Sequence, residues 1–276
     1  MTTPSGESTG HHRSTISHKE KAGGISQPGS GSACEESTSE NARRPLMVDI
    51  MSGPHSPLTK GFIMAQWRAL TVDRLFGEHH DLSDTAVQAE LHDTFKEADF
   101  MWAALDCSTK SGARNIPSKI PGRKLPPPLR SKEHPMGLPG LQGSDKERVT
   151  TDNDACEFVL SELKLHQARS GGSGRENPLN SLHWSTPTEV DMWNSGTWED
   201  TIYHACCLQG TRRKRQKLRH DIEEILCWSG MKCRHMHHPE EWSPIENDDG
   251  TMFYPSHEEA EYTANLTFHI VVAASV

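Results

Sequence analysis

The chain has 276 residues, a formal net charge of −9 and 33% hydrophobic residues, enough for one large domain or two small ones. The negative balance excludes a protein that coats nucleic acid through its global charge. The longest apolar stretch, Phe268 to Val276, is interrupted by His269 and is too short to span a bilayer, so no membrane partner is expected.

The first 45 residues are rich in Ser, Thr, Gly, Glu and Lys, and their only aliphatic residues larger than Ala are Ile16 and Ile25. Such a segment cannot bury enough surface to offset its conformational entropy and is expected to be a disordered tail. The rest, residues 46–276, is read as one domain. Leu46-Met47-Val48-Asp49-Ile50-Met51 is a short apolar run ending at Ser52-Gly53-Pro54, the pattern of a buried strand running into a loop. A helix is expected around Gly61–Ala69, a second strand over Ala69–Asp73, and a helix from a Ser83 cap to about Glu97. A third strand spans Asp99–Leu105.

A long irregular region follows, Lys110 to about Val149, with Pro126-Pro127-Pro128, Pro135 and Pro139. A loop of that length in a compact domain is functional or disordered. A helix is expected from about Asp152 to Ser170-Gly171-Gly172, a strand over Thr201–Leu208 and helical structure over Asp221–Trp228. Ser256-His257-Glu258-Glu259 fits a capping box opening a last helix. Strands alternating with helices predict an α/β fold with a mostly parallel sheet and helices on both faces.

Several polar motifs sit at predicted strand ends, where ligands bind in such sheets. In order they are Asp49-Ile50-Met51-Ser52-Gly53, Asp73, Asp81-Leu82, Cys107-Ser108-Thr109, Pro127-Pro128-Leu129-Arg130-Ser131, Gly137-Leu138-Pro139, Glu176-Asn177-Pro178 and the segment Gln209–Lys217. Taken in this order, the chain resembles the S-adenosylmethionine-dependent cytosine-C5 methyltransferases. It resembles most the compact, divergent members associated with reverse transcriptases in mobile elements of dinoflagellates and other protists. The resemblance implies a Rossmann-like methyltransferase fold and S-adenosylmethionine as cofactor. Asp49, Met51 and Gly53 would lie under its methionine part, Asp73 at the ribose hydroxyls, and Asp81 with Leu82 at the adenine. It further implies methylation of cytosine in nucleic acid, such as DNA, with Cys107 as nucleophile and Glu176 as the acid at N3 of the base.

The residues admit plainer readings. Cys107 is also what a buried cysteine acting as a small hydrophobe looks like, Glu176 a surface glutamate before a proline turn, and the three aspartates ordinary strand-end turn residues. Asp106 stands where the family has proline, and the 35 or so residues between Leu218 and Tyr254 are too few for a separate target-recognition domain. A non-catalytic, mobile-element-derived domain that keeps the fold is therefore the first alternative. The basic run Arg212-Arg213-Lys214-Arg215, with Lys217 and Arg219, reads as a solvated face, with phosphate contact or nuclear import as the other options.

Seven cysteines, an odd count without a dense framework, indicate free thiols in a reducing, intracellular compartment, and the N-terminus shows no secretory signal. Cys227, Cys233, His235, His237 and His238 raise the second alternative, a zinc-stabilised interaction module. Their spacing does not match the usual paired pattern, so no metal site is expected there.

Overall fold

A computed structural model describes residues 44–115, 126–238, 242, 245–247, 252–253 and 260–276. The expected tail, residues 1–45, lies outside the described residues apart from Arg44 and Pro45, and so does the Ser256 capping box.

Leu46–Ile50 (β1) is fully buried along its length because it lies in the middle of a sheet with apolar layers on both sides. Helix Pro57–Met64 (α1) leads to Arg68–Val72 (β2), helix Thr85–Lys96 (α2) to Phe100–Ala104 (β3), and helix Gly143–Ala168 (α3) to Gly172–Pro178 (β4). Helix Pro187–Asn194 (α4) precedes Glu199–His204 (β5); Arg215–His220 (β6) and the last helix Ala264–Ala274 (α5) follow. The sheet order is β2-β1-β3-β4-β6-β5. β2, β1, β3 and β4 pair in parallel, whereas β6 runs antiparallel to both β4 and β5. The sheet is thus mixed, which corrects the expectation of a mostly parallel one. β5 turns back through Ala205–Lys214, and the returning strand β6 inserts between β4 and β5.

Alternating side chains of the strands feed two apolar layers. Val48, Ile50, Met101 and Ala103 pack with Phe95 of α2 and with Val159, Leu160 and Leu163 of α3. Met47, Phe100, Trp102 and Leu218 pack on the other face with Phe62 of α1 and with Leu266 and Ile270 of α5. Helices therefore cover both faces, as the alternation predicts.

Several boundaries move for identifiable reasons. Asp84, not Ser83, caps α2, accepting from the Ala86 amide at 2.7 Å. α3 begins at Gly143, nine residues before Asp152, because its first turns are polar and carry no apolar period to read. The last helix opens at Thr263, whose hydroxyl accepts from the Leu266 amide. Asp221–Trp228 forms a 3-10 turn only over Glu223–Trp228, and β5 ends at His204, four residues short of the expected Leu208.

Ser170–Arg175 is a poor strand by composition, yet β4 is a central strand there. Its glycines make room: a Cβ on Gly174 would come within 2.3 Å of the Trp102 ring, and one on Gly172 within 3.2 Å of Phe100. Large aromatics on β3 and glycines on β4 are one packing solution, and the sheet ladder on both sides overrides weak local propensity.

Candidate active site at the carboxyl edge of the sheet

Chain order reverses at β1, which has β2 on one side and β3 on the other. In open α/β sheets this switch point opens a crevice beyond the carboxyl ends of the strands. The loops after β1, β2 and β3 carry Met51 to Gly53, Asp73 and Cys107 to that same edge, and the last residues of β4, Glu176-Asn177-Pro178, end there too.

On the β1–β2 side, Asp73 ties the loops together. Its Oδ2 accepts from the Gly53 amide at 2.9 Å and its Oδ1 from the Leu75 amide at 2.9 Å. Each oxygen keeps a lone pair for a further donor. Gly53 holds φ +71°, a left-handed conformation that glycine adopts without steric cost. Met51 also has positive φ and packs against the core under the loop. Asp81 uses Oδ1 to accept from both the amide (3.0 Å) and the hydroxyl (2.7 Å) of Ser83, and the hydroxyl bond above all holds its carboxyl below the usual range. Leu82 is buried in the core beneath it.

Asp49 sits apart from this group. It is 1% exposed, and its Oδ2 accepts from the amide and hydroxyl of Thr59 at 3.1 and 2.8 Å. Burial pushes its carboxyl up to about 6. It therefore fastens the start of α1 to β1 from inside and does not face the crevice loops.

On the β3–β4 side, Cys107 is half-buried just past β3. Burial pushes its thiol up to about 11; Lys214 acts against this, while Glu176 and Asp106 add to it. The Asp106 carboxylate caps the turn, accepting from the amide and hydroxyl of Ser108 at 2.7 and 3.0 Å. Glu176 is buried with its Oε1 lacking a hydrogen-bond partner, and burial raises its carboxyl, again opposed by Lys214. Lys214 thus acts on both Cys107 and Glu176, and Glu176 acts on Cys107. Tyr203 and Tyr262 feel the Glu176 charge as well, and their phenols are pushed well above 10, chiefly by burial. A buried carboxyl whose raised pKa favours the acid form, with one oxygen unpaired, is suited to meet a hydrogen-bonding ligand.

The remaining motif residues hold this edge together. Thr109 hydrogen-bonds Asp152 on α3; Lys110 reaches Asp152 Oδ1 at 2.5 Å; Arg130 Nη2 reaches Asp152 Oδ2 at 3.0 Å and Arg130 Nε reaches Thr109 at 3.0 Å. Arg130 is fully buried and also binds the Pro135 carbonyl and Asn153. The Cys-Ser-Thr and Pro-Pro-Leu-Arg segments are therefore clamped to one buried aspartate. Asn177 donates to the Leu105 carbonyl at 2.7 Å, locking the β3 and β4 loops to each other.

The basic run divides in two. Arg213 and Arg215 are exposed and Arg212 and Lys214 half-buried, whereas Lys217 and Arg219 are buried. The solvated-face reading is thereby corrected for the last two, which belong to β6. There Arg219 and Lys217 hold Asp200 at 2.7 Å each, Arg219 also reaches Glu189, and Arg175 binds Glu189 through both carboxylate oxygens at 2.6 and 2.7 Å. Trp184 and Trp193 stack on the Arg219 guanidinium and Trp198 on Arg175.

Leu75 and Phe76, exposed by 63% and 43% directly after Asp73, escaped the sequence reading. An apolar pair immediately behind a strand-end acid was the available signal. Phe76 lies against His80 with ring centroids 6.2 Å apart, so the two 3-10 turns Arg74–Phe76 and Glu78–His80 present an aromatic surface between Asp73 and Asp81.

No family model, curated protein or solved structure matches this chain. Function must therefore be argued from the residues at the sheet's carboxyl edge.

Proposed function

We propose that this protein is a methyltransferase-like domain with a Rossmann-like sheet that binds S-adenosylmethionine at the β1–β2–β3 edge and a cytosine of nucleic acid beside Cys107 and Glu176. The observation that carries the reading is the convergence on one sheet edge of two distinct devices. One is a loop-and-carboxylate cradle, made of Gly53, Asp73 and Asp81. The other is a thiol close in the fold to a buried glutamate whose carboxyl burial pushes up.

The cradle suits a nucleoside. Asp73 retains acceptor capacity for two vicinal hydroxyls, Asp81 Oδ2 remains for an exocyclic amine, and Phe76 with Leu75 offers a flat apolar surface to a purine. Gly53 lets the loop backbone approach the ligand closely. Met51 and Leu82 support the cradle from the core, and Asp49 acts through Thr59 as a positioning residue.

The thiol and the acid suit a pyrimidine. Attack of the Cys107 thiolate on C6 forms the S–C6 bond and moves the ring's electrons to C5, while Glu176 gives its proton toward N3. The cofactor, when bound, would supply the methyl group for C5; loss of the C5 proton to a base, return of the N3 proton to Glu176 and departure of the Cys107 thiolate would then restore the neutral ring. Arg212 and Arg213, leading to Lys214 beside the pair, supply cations for backbone phosphates.

The raised Cys107 thiol favours a second reading, a domain that keeps the cofactor cradle but performs no covalent step. Titration of the protein with S-adenosylmethionine tests the cradle. Asp73→Ala should weaken binding by roughly 1.5–3 kcal/mol, the scale of hydrogen bonds to a charged group. Absence of binding by the wild type sinks both readings. A cytosine oligonucleotide fluorinated at C5, which cannot lose the C5 proton, then separates them. A covalent adduct lost in Cys107→Ser supports catalysis, and cofactor binding without any adduct supports the second reading.

A further inference from the structure

Past the carboxyl end of β5, residues from two distant segments meet. Cys206 lies in the 3-10 turn Ala205–Leu208 after β5, and Cys233, His235 and His237 follow the turn Glu223–Trp228. One ligand atom from each of the four lies within 4.8 Å of every other. Cys233 Sγ is 3.2 Å from His235 Nδ1 and 3.1 Å from His237 Nε2, and the two thiols are hydrogen-bond partners. Both cysteines are free thiols.

We propose that Cys206, Cys233, His235 and His237 form a tetrahedral zinc site. With Zn–S near 2.3 Å and Zn–N near 2.0 Å, a tetrahedron sets its ligand atoms roughly 3.3–3.8 Å apart, a spread this cluster can adopt by small side-chain rotations. Two thiolates and two imidazoles are the donor set that favours zinc over hard cations such as magnesium or calcium. All four positions are filled by the protein, so the site is structural.

Its surroundings match that role. The His235 amide points at Cys233 Sγ at 3.2 Å, a contact that stabilises a thiolate, and the Cys233 amide is fixed by His204 Nδ1 at 3.2 Å. The ligand-bearing segment is itself strapped to β5: the Gly230 amide donates to the Ile202 carbonyl and the His204 amide to the Met231 carbonyl. Cys227, the nearest cysteine in sequence, is exposed and donates to the Glu224 carbonyl instead. The fold thus replaces Cys227 with Cys206, which is why sequence spacing does not disclose the site.

The metal fastens the β5–β6 connection. That connection carries Cys206 near its start and ends at Lys214, whose carbonyl accepts from the Ala205 amide at 2.8 Å. Binding releases the thiol protons to solvent and closes the loop bearing Arg212, Arg213 and Lys214 against the rest of the domain.

The test uses the full chain, produced in zinc-replete medium and dialysed, with metal measured by mass spectrometry. About one zinc per chain is expected, lost in Cys206→Ser and in Cys233→Ser and kept in Cys227→Ser and His238→Ala. Should the serine variants not fold, His237→Cys provides a second arm, since three thiolates and one imidazole still bind zinc. Cobalt added to stripped wild-type protein should give the intense visible bands of a tetrahedral thiolate complex. Three results would overturn the proposal: no bound metal and no cobalt spectrum, full zinc in Cys206→Ser, or a Cys206–Cys233 disulfide in protein purified under reducing conditions.

Discussion

The thiol of Cys107 offers the sharpest test of the electrostatics. With its pKa pushed up to about 11 by burial, only about 3 molecules in 10,000 carry the thiolate at pH 7.5, against roughly 9 in 100 for an ordinary cysteine near 8.5. The ratio is about 300. A more basic thiolate is intrinsically the better nucleophile, with a Brønsted slope of about 0.4–0.5, which returns a factor of roughly 10–18. Exchange of Cys107 with a small disulfide should therefore run roughly 15–30-fold slower than that of a short cysteine peptide in the same tube. Its rate should keep climbing tenfold per pH unit to about pH 10, where the peptide has levelled off. Peptide mass spectrometry of timed, acid-quenched samples reads the rate at Cys107 separately from the other cysteines. Lys214→Met should slow it further, since Lys214 favours the thiolate. A cofactor-free Cys107 that matches the peptide, or that levels off near pH 9, would refute the burial argument and with it the account of this loop.

Two predictions concern stability. Glu189 is fully buried and binds both Arg175 and Arg219; Glu189→Ala should cost about 3–5 kcal/mol in urea unfolding, and Arg175→Met combined with Glu189→Leu should recover most of that. Although burial works against it, Arg175 and His183 hold the Glu189 carboxyl well below 4.5, so its contribution is present above about pH 4.5 and is lost as pH falls below that value. Asp49 has the opposite sign: burial pushes its pKa up to about 6 from the ordinary 3.8, so its contribution is full below about 3.8 and lost as pH rises through 6. Asp49→Asn should match wild type near pH 4 and exceed it by up to about 3 kcal/mol above pH 7, measured as the difference between the two unfolding curves.

What the sequence discloses is the parallel half of the sheet. β1, β2 and β3 end within about a residue of where their apolar runs end; for the central strands β1 and β3 this is because buried parallel strands are continuous apolar runs. β4 and β6 escape that logic. β4 opens Gly172-Ser173-Gly174-Arg175, shaped by the rings of Phe100 and Trp102 packed against its glycines. β6 alternates cations with Leu218, and its Lys217 and Arg219 read as solvated only until Glu189 and Asp200 are known to face them. Charge alone does not tell an exposed lysine from one paired inside; the partner does, and the partners lie 17 to 30 residues away.

The same distance governs the candidate residues. Asp73, Cys107 and Glu176 are visible as polar residues at strand ends, but Asp49 could not be separated from Asp73 without Thr59, which turns it inward. The four-residue metal cluster needed Cys206 brought next to Cys233 by the return of the chain along β5, a contact no local spacing encodes.

The insertion of β6 between β4 and β5 also sets the order in which the sheet can be finished. β5 emerges from the ribosome before the strand that will connect it to anything, and until β6 arrives the outer edge of β4 has no pairing partner. That edge is short of large side chains and rich in open amides and carbonyls, the kind of edge that recruits a strand from a neighbouring molecule. The interval between the synthesis of β4 and that of β6, about forty residues, is therefore the time during which this edge stands open.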